Sequence, residues 1–188
     1  ADDFIGPLKR CADFIRAQGS VPGIQLGHSG RKARLTRPWE GGKPLTGKEP
    51  EIYDWEGWEL VAPSAVPHTE KAPVPRALTN AEVKEMVQKW GAAAARADKC
   101  GFDMLEIHAA HGYLLHQFLS PISNRRTDQY GGSLENRTRF PLEVFAAVRA
   151  TFPQNKPVGL RVSATDWVEG GWDIHQTIEF TRELKKRH

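Results

Sequence analysis

A chain of 188 residues, 39% hydrophobic and 26% charged with a net charge of +3, can bury one sizeable core and shows no basic stripe suited to nucleic acid. Cys11 and Cys100 lie far apart without a CxxC, which argues against a disulfide framework, a zinc site or an iron-sulfur site and fits a reducing cytoplasm. No window approaches a membrane span and the N-terminus lacks a signal-peptide pattern, so a soluble, unexported cytoplasmic protein is expected.

In chain order, Phe4 to Gln18 carries Phe4, Leu8, Ala12 and Ile15 at helical spacing, and Gly19 ends it. Residues 24–28 then read as a strand. Thr79 with Glu82 three residues on forms a capping box, and Val83, Met86, Val87, Trp90, Ala94 and Ala97 make one apolar stripe up to Gly101. Residues 102–108 read as a second strand. A helical period runs from Ser133 or Leu134 to Thr151, where Pro141 is expected to kink the helix or start a second piece. Residues 157–163 read as a third strand, and Asp173 caps a last helix to Arg187, where Lys185-Lys186-Arg187 suits the C-terminal dipole. No internal repeat is visible.

Between the first strand and the Thr79 helix lies a long connection, residues 29–78, holding seven of the thirteen prolines. Connections of this length are uncommon unless functional. Trp39, Trp55 and Trp58 within it suit either a lid over a site or a packed Ω-like excursion with aromatic anchors.

The strand faces favour a particular architecture. Ile24 and Leu26, Leu105 and Ile107, and Val158, Leu160 and Val162 form apolar faces for covering helices, whereas Gln25, Gly27, Met104, Glu106, His108, Gly159, Arg161 and Ser163 fall on the other side. A doubly wound sheet buries both faces, but a barrel can carry polar groups in its top layer. The fold class expected is therefore α/β, a TIM (β/α)8 barrel. Residues 1–188 would form a single partial domain of about three of the eight strands, part of a longer or split barrel.

The segment Glu106-Ile107-His108-Ala109-Ala110-His111-Gly112-Tyr113 places two imidazoles and a phenol at the end of the second strand. Imidazole and phenol can donate to an oxygen that gains negative charge, and tyrosine can deliver a proton. The segment suggests an active site for a polarised carbonyl or similar group. A single histidine near a strand end is more often structural, but His-x-x-His-x-Tyr in one turn is hard to explain by packing. Arg161 is open to two readings, a site cation or a structural ion pair with Glu106, and Gln25 alone would be unremarkable.

Four stretches carry a resemblance. Residues 24–33, 106–113, 118–128 and 129–137 resemble, in order and spacing, the old yellow enzyme family of flavin-dependent ene-reductases, and the likeness runs over essentially all of the chain. His111 resembles the class typified by thermophilic-type bacterial NADPH dehydrogenases, where yeast-type members carry asparagine. The resemblance implies an FMN-containing barrel that takes hydride from NADPH or NADH and reduces activated carbon-carbon double bonds. It implies that Gln25 and Arg161 bind the flavin, that His108 and His111 hold the substrate's carbonyl or nitro oxygen with Ala109 and Ala110 alongside, and that Tyr113 protonates the α-carbon. It also implies subunit pairing in the full-length protein. Asn124, Arg125, Arg126, Asp128 and Tyr130 belong to the same motifs and read mainly as a loop-stabilising polar network.

Two other classes compete. His108, His111 and Glu106 could ligate a metal in a hydrolase barrel, although Arg161 would repel the cation, and a non-catalytic scaffold derived from an enzyme is the third reading. The family's N-terminal strands, its redox-tuning cysteine and its phosphate-binding last strands have no counterpart among these residues. Weak or absent FMN binding is expected of a chain that ended at His188.

Overall fold

The computed structural model describes residues 1–45 and 58–187, and its three longer strands are each followed in the chain by a long helix. Helix α1 (Ile5–Ala17) follows a short 3-10 turn, buries only Ala12, and ends at Gly19, whose φ of 80° suits a residue without Cβ. It is tied down by charge. Arg16 reaches Asp103 at 2.8 Å, and Asp2, just before the helix, receives Arg96 at 2.7 Å.

Strand β1 (Gly23–Leu26), strand β4 (Met104–Ala109) and strand β5 (Val158–Val162) form a parallel sheet in the order β1-β4-β5. The register sets Gln25 beside Glu106 and Glu106 beside Gly159, with His108 beside Arg161. All five thus share one face. On the other face Leu105 and Ile107 are fully buried, and Ile24, Leu26, Val158, Leu160 and Val162 pack against the same core. Burial of each such side chain stabilises by about 2 kcal/mol. The helical cover comes from α2 (Asn80–Lys99) and α4 (Leu134–Thr151), which pack together across Gly91, where an added Cβ would lie 3.4 Å from the Thr151 hydroxyl. Helix α5 (Ile174–Arg187) completes the order, and the Gln176 amide donates to the capping carboxylate of Asp173 at 2.9 Å.

Three features differ from the sequence expectation. The stretch Leu114–Leu119 is a helix, α3, with all six residues buried, a burial that leaves no amphipathic period to read. Pro141 neither breaks α4 nor starts a second piece, because the helix runs continuously through it with Pro141 itself buried. The long connection after β1 is also not without structure. Its described residues carry two 3-10 turns and a parallel pair of two-residue strands, β2 (Val61–Ala62) and β3 (Arg76–Ala77).

Arg126 locks that connection to the rest. Its guanidinium donates to the carbonyls of Pro63 and Leu78, to Asn80 at 2.7 Å and to Asp128 at 2.6 Å. Asn124 spans the same loop, donating to the Phe118 and Tyr130 carbonyls at 2.7 and 2.8 Å. The polar loop motif therefore acts as a structural network. Trp39 and Trp58 are 80% and 54% exposed, so neither is a packed anchor, and Trp55 lies outside the described residues. Among the described residues no helix is long and apolar enough to cross a membrane.

The entry to α2 is the most local of these features. Glu82 N–H donates to the Thr79 hydroxyl at 3.3 Å and Thr79 N–H returns a bond to the Glu82 carboxylate at 2.8 Å. Arg76 first and Thr79 second hold that carboxyl down at about 2. Thr79→Ala should destabilise the fold by about 1 kcal/mol in urea unfolding, with Thr79→Ser nearly neutral. Equal stability of the alanine variant would show that the cap contributes nothing.

Candidate active site

Strand β4 carries His108, 8% exposed, to the edge of the sheet and then reverses sharply. The reversal uses two left-handed residues in succession, His111 with φ 58° and Gly112 with φ 71°. Glycine adopts such a backbone freely, whereas histidine pays for it. The turn is held from both sides. His111 N–H donates to the Ser163 hydroxyl at 2.9 Å, and the Lys32 ammonium donates to the His111 carbonyl at 2.9 Å.

The rings gather around His108. Its centroid lies 5.0 Å from that of His111 and 5.0 Å from that of Tyr113, both edge to face. The backbone N–H of Ala110 donates to His108 Nδ1 at 3.1 Å, which places the proton of the neutral ring on Nε2. That nitrogen stands 3.3 Å from His111 Nδ1. A neutral pair linked in this sense leaves His111 Nε2–H as its outward donor. Lys32 Nζ lies 5.2 Å from the centre of the Tyr113 ring.

Burial first, and then the neighbouring His111 and Arg161, push the His108 imidazole below its usual range, against an opposing pull from Glu106. His108 therefore stays neutral at pH 7, as its acceptor role toward Ala110 requires.

The structure brings Gln25, His108, His111, Tyr113 and Arg161 to one open side and end of the sheet. Ala109 and Ala110 are fully buried, and Ala110 contributes its N–H to His108 rather than surface to a ligand. The ion pair between Arg161 and Glu106 does not form. Glu106 accepts from the Gln25 amide, and Arg161 is exposed with no ion pair among the described residues. No group of three or more histidine, cysteine or acidic side chains among the described residues converges as a metal set would. Lys32, Ser163 and His116 were not singled out by the sequence. Their contacts with the turn include links across 79 and 52 residues; Ser163 had a signal in its place on the polar strand face and Lys32 in its place within residues 24–33.

Comparison with known proteins agrees with this geometry. The NADH:flavin oxidoreductase / NADH oxidase family matches residues 1–188. An NADH:flavin oxidoreductase of Gibberella zeae is 45% identical over 98% of this chain and 47% of its own, and an NADPH dehydrogenase of Bacillus velezensis is 43% identical over 100% and 48%. The chain thus spans about half the length of these curated relatives. Among solved structures, an old yellow enzyme from Pichia sp. superposes with TM-score 0.82 at 30% identity, over 100% of this chain and 48% of that one. Morphinone reductase in complex with tetrahydroNAD gives 0.78 at 34% identity, over 100% and 52%. The parallel sheet with helices on one face is a part of the barrel of those proteins, and the chain belongs to the NADH:flavin oxidoreductase / NADH oxidase family.

Proposed function

We propose that the protein works as an FMN-dependent ene-reductase, using NADPH or NADH to reduce activated alkenes that carry a carbonyl or nitro group. The observation that carries this reading is the convergence of an amide, a guanidinium, two imidazoles and a phenol on one open face.

The residues present fit a flavin ring. Gln25 offers both a donor and an acceptor, as the polar edge of the ring needs, and Arg161 offers a fixed positive charge not committed to Glu106. Two residues before Arg161 on β5 the same face is clear at Gly159, where a Cβ would meet nothing within 4 Å. Bound there, FMN would supply the hydride chemistry, accepting it from the nicotinamide and passing it to the β-carbon of the alkene.

The chain's own groups supply the rest. His111 Nε2–H donates to the activating oxygen and draws electron density from the alkene, while His108 Nε2–H orients that ring through His111 Nδ1; such a donor is worth roughly 3 kcal/mol of transition-state stabilisation. Tyr113, beside His108, delivers the proton to the α-carbon. Its oxygen gains negative charge as the proton leaves, and the Lys32 ammonium near the ring lies where it opposes that cost.

Tyr113→Phe should slow alkene reduction by roughly 100-fold while leaving flavin reduction by NADPH little changed, as read by stopped-flow flavin absorbance. Equal slowing of both half-reactions would contradict the proton-donor role.

Stability should also follow pH through His108. Because its proton affinity is depressed in the folded state, the unfolded chain binds more protons below about 6.5, so stability falls as pH drops through that value until the folded form also protonates. His28, depressed by burial and then by Lys89, acts in the same direction. Denaturant unfolding at about pH 7 and about pH 5.5 should show the loss, and His108→Gln should reduce it. An unchanged slope in that variant would exclude His108 as a source.

A further inference from the structure

We infer that the largely buried pair His116 and Asp166 is a positioning unit that sets the geometry of the His111–Gly112 turn and thereby aims the catalytic rings. The inference rests on the reductase reading for its effect on rate, but not for its structural content.

The backbone of the turn has four polar groups, and all four are taken by side chains. Ser163 and Lys32 hold the N–H and carbonyl of His111. Gly112 N–H donates to His116 Nδ1 at 2.8 Å, and the Gln117 amide donates to the Gly112 carbonyl at 2.7 Å. The Gly112 bond requires His116 Nδ1 to be unprotonated, so the proton of a neutral ring sits on Nε2.

What lies at that nitrogen enforces the choice. Asp166 Oδ1 is 2.8 Å from His116 Nε2, in a bent approach, with the two side chains 12% and 7% exposed. Its other oxygen accepts from the Ser120 hydroxyl at 2.6 Å and from Trp172 N–H at 2.8 Å. Burial opposes the charge on Asp166 most strongly, yet the close His116 contact and the bonds from Ser120 and Trp172 together outweigh it and hold the carboxyl below its usual range. A carboxylate at this point attracts the proton to Nε2 and leaves Nδ1 bare for Gly112.

The two N–H groups of the turn are also tied to one segment. Asp166 and Trp172 exchange bonds across the loop after β5, with Asp166 N–H donating to the Trp172 carbonyl at 2.8 Å. The Trp172 indole donates to the carbonyl of Ser163 at 3.0 Å, and the Ser163 hydroxyl is the acceptor for His111. Displacement of this segment would therefore move both anchors and turn the His111 ring away from His108.

The test uses the flavin-loaded full-length protein and three variants, Asp166→Asn, His116→Leu and His116→Asn. Asparagine at 166 cannot accept at both of its terminal atoms. Leucine at 116 removes the acceptor for Gly112, whereas asparagine at 116 keeps one near the Nδ1 position. The first two should lose about 100-fold in alkene-reduction rate per bound flavin, the scale of an ångström-level misplacement, and His116→Asn should recover most of it. A loss of melting temperature with the rate per flavin unchanged would overturn the inference, as would a His116→Asn variant as slow as His116→Leu.

Nitrogen NMR of the wild-type protein gives a readout that survives if the variants fail to fold. His116 should show a bare Nδ1 and a protonated Nε2, and the opposite tautomer would overturn the inference. Failure of the reductase reading would appear separately, as a protein without flavin or alkene reduction whose His116 tautomer is still as expected.

Discussion

The end of β4 is where the chain must do something costly. A strand that ran on past Ala109 would carry His111 and Tyr113 away from His108, so the backbone turns back through two left-handed residues, one of them a histidine. A non-glycine residue held there costs about 1–3 kcal/mol. Four side-chain hydrogen bonds to the turn, each worth about 1 kcal/mol net, are enough to offset it. The rings gather because that balance closes, and Lys32, His116, Gln117 and Ser163 are the residues that close it.

How much of this was legible in the sequence depended on how local each cause was. The Thr79–Glu82 box, the apolar stripe of α2 and the division of β4 and β5 residues between two faces are written within a few residues and agree with the structure. Helix α3 was missed because Leu114 to Leu119 is buried on every side, which removes the periodic signal. Pro141 misled because its intrinsic preference is to end a helix, and packing of Phe140, Leu142 and Val144 around it overrides that preference. The short pair β2 and β3 has two residues a strand, too few for any pattern.

The site was legible in its chemistry and illegible in its support. Two histidines and a tyrosine within six residues announce themselves, and the alternation of strand faces placed Gln25 and Arg161 on their side of the sheet. The roles of Gln25 and Arg161 came from the family resemblance rather than from the residues alone. Neither source could show that Glu106 would accept from Gln25 in place of Arg161, since that choice is made between neighbouring strands. The clamp on the turn was equally hidden, because its parts come from three separate segments.

One face of the sheet is closed by α2 and α4, and the other presents Gln25, Glu106, Gly159 and Arg161 in register. A flat, partly anionic ligand on that face would interact with the Arg161 guanidinium more strongly after reduction than before, because reduction adds negative charge. The midpoint potential of the flavin-loaded protein therefore tests the assignment of this face most directly. Arg161→Met should make the potential more negative; an unchanged or more positive potential would contradict the placement of the flavin beside Arg161.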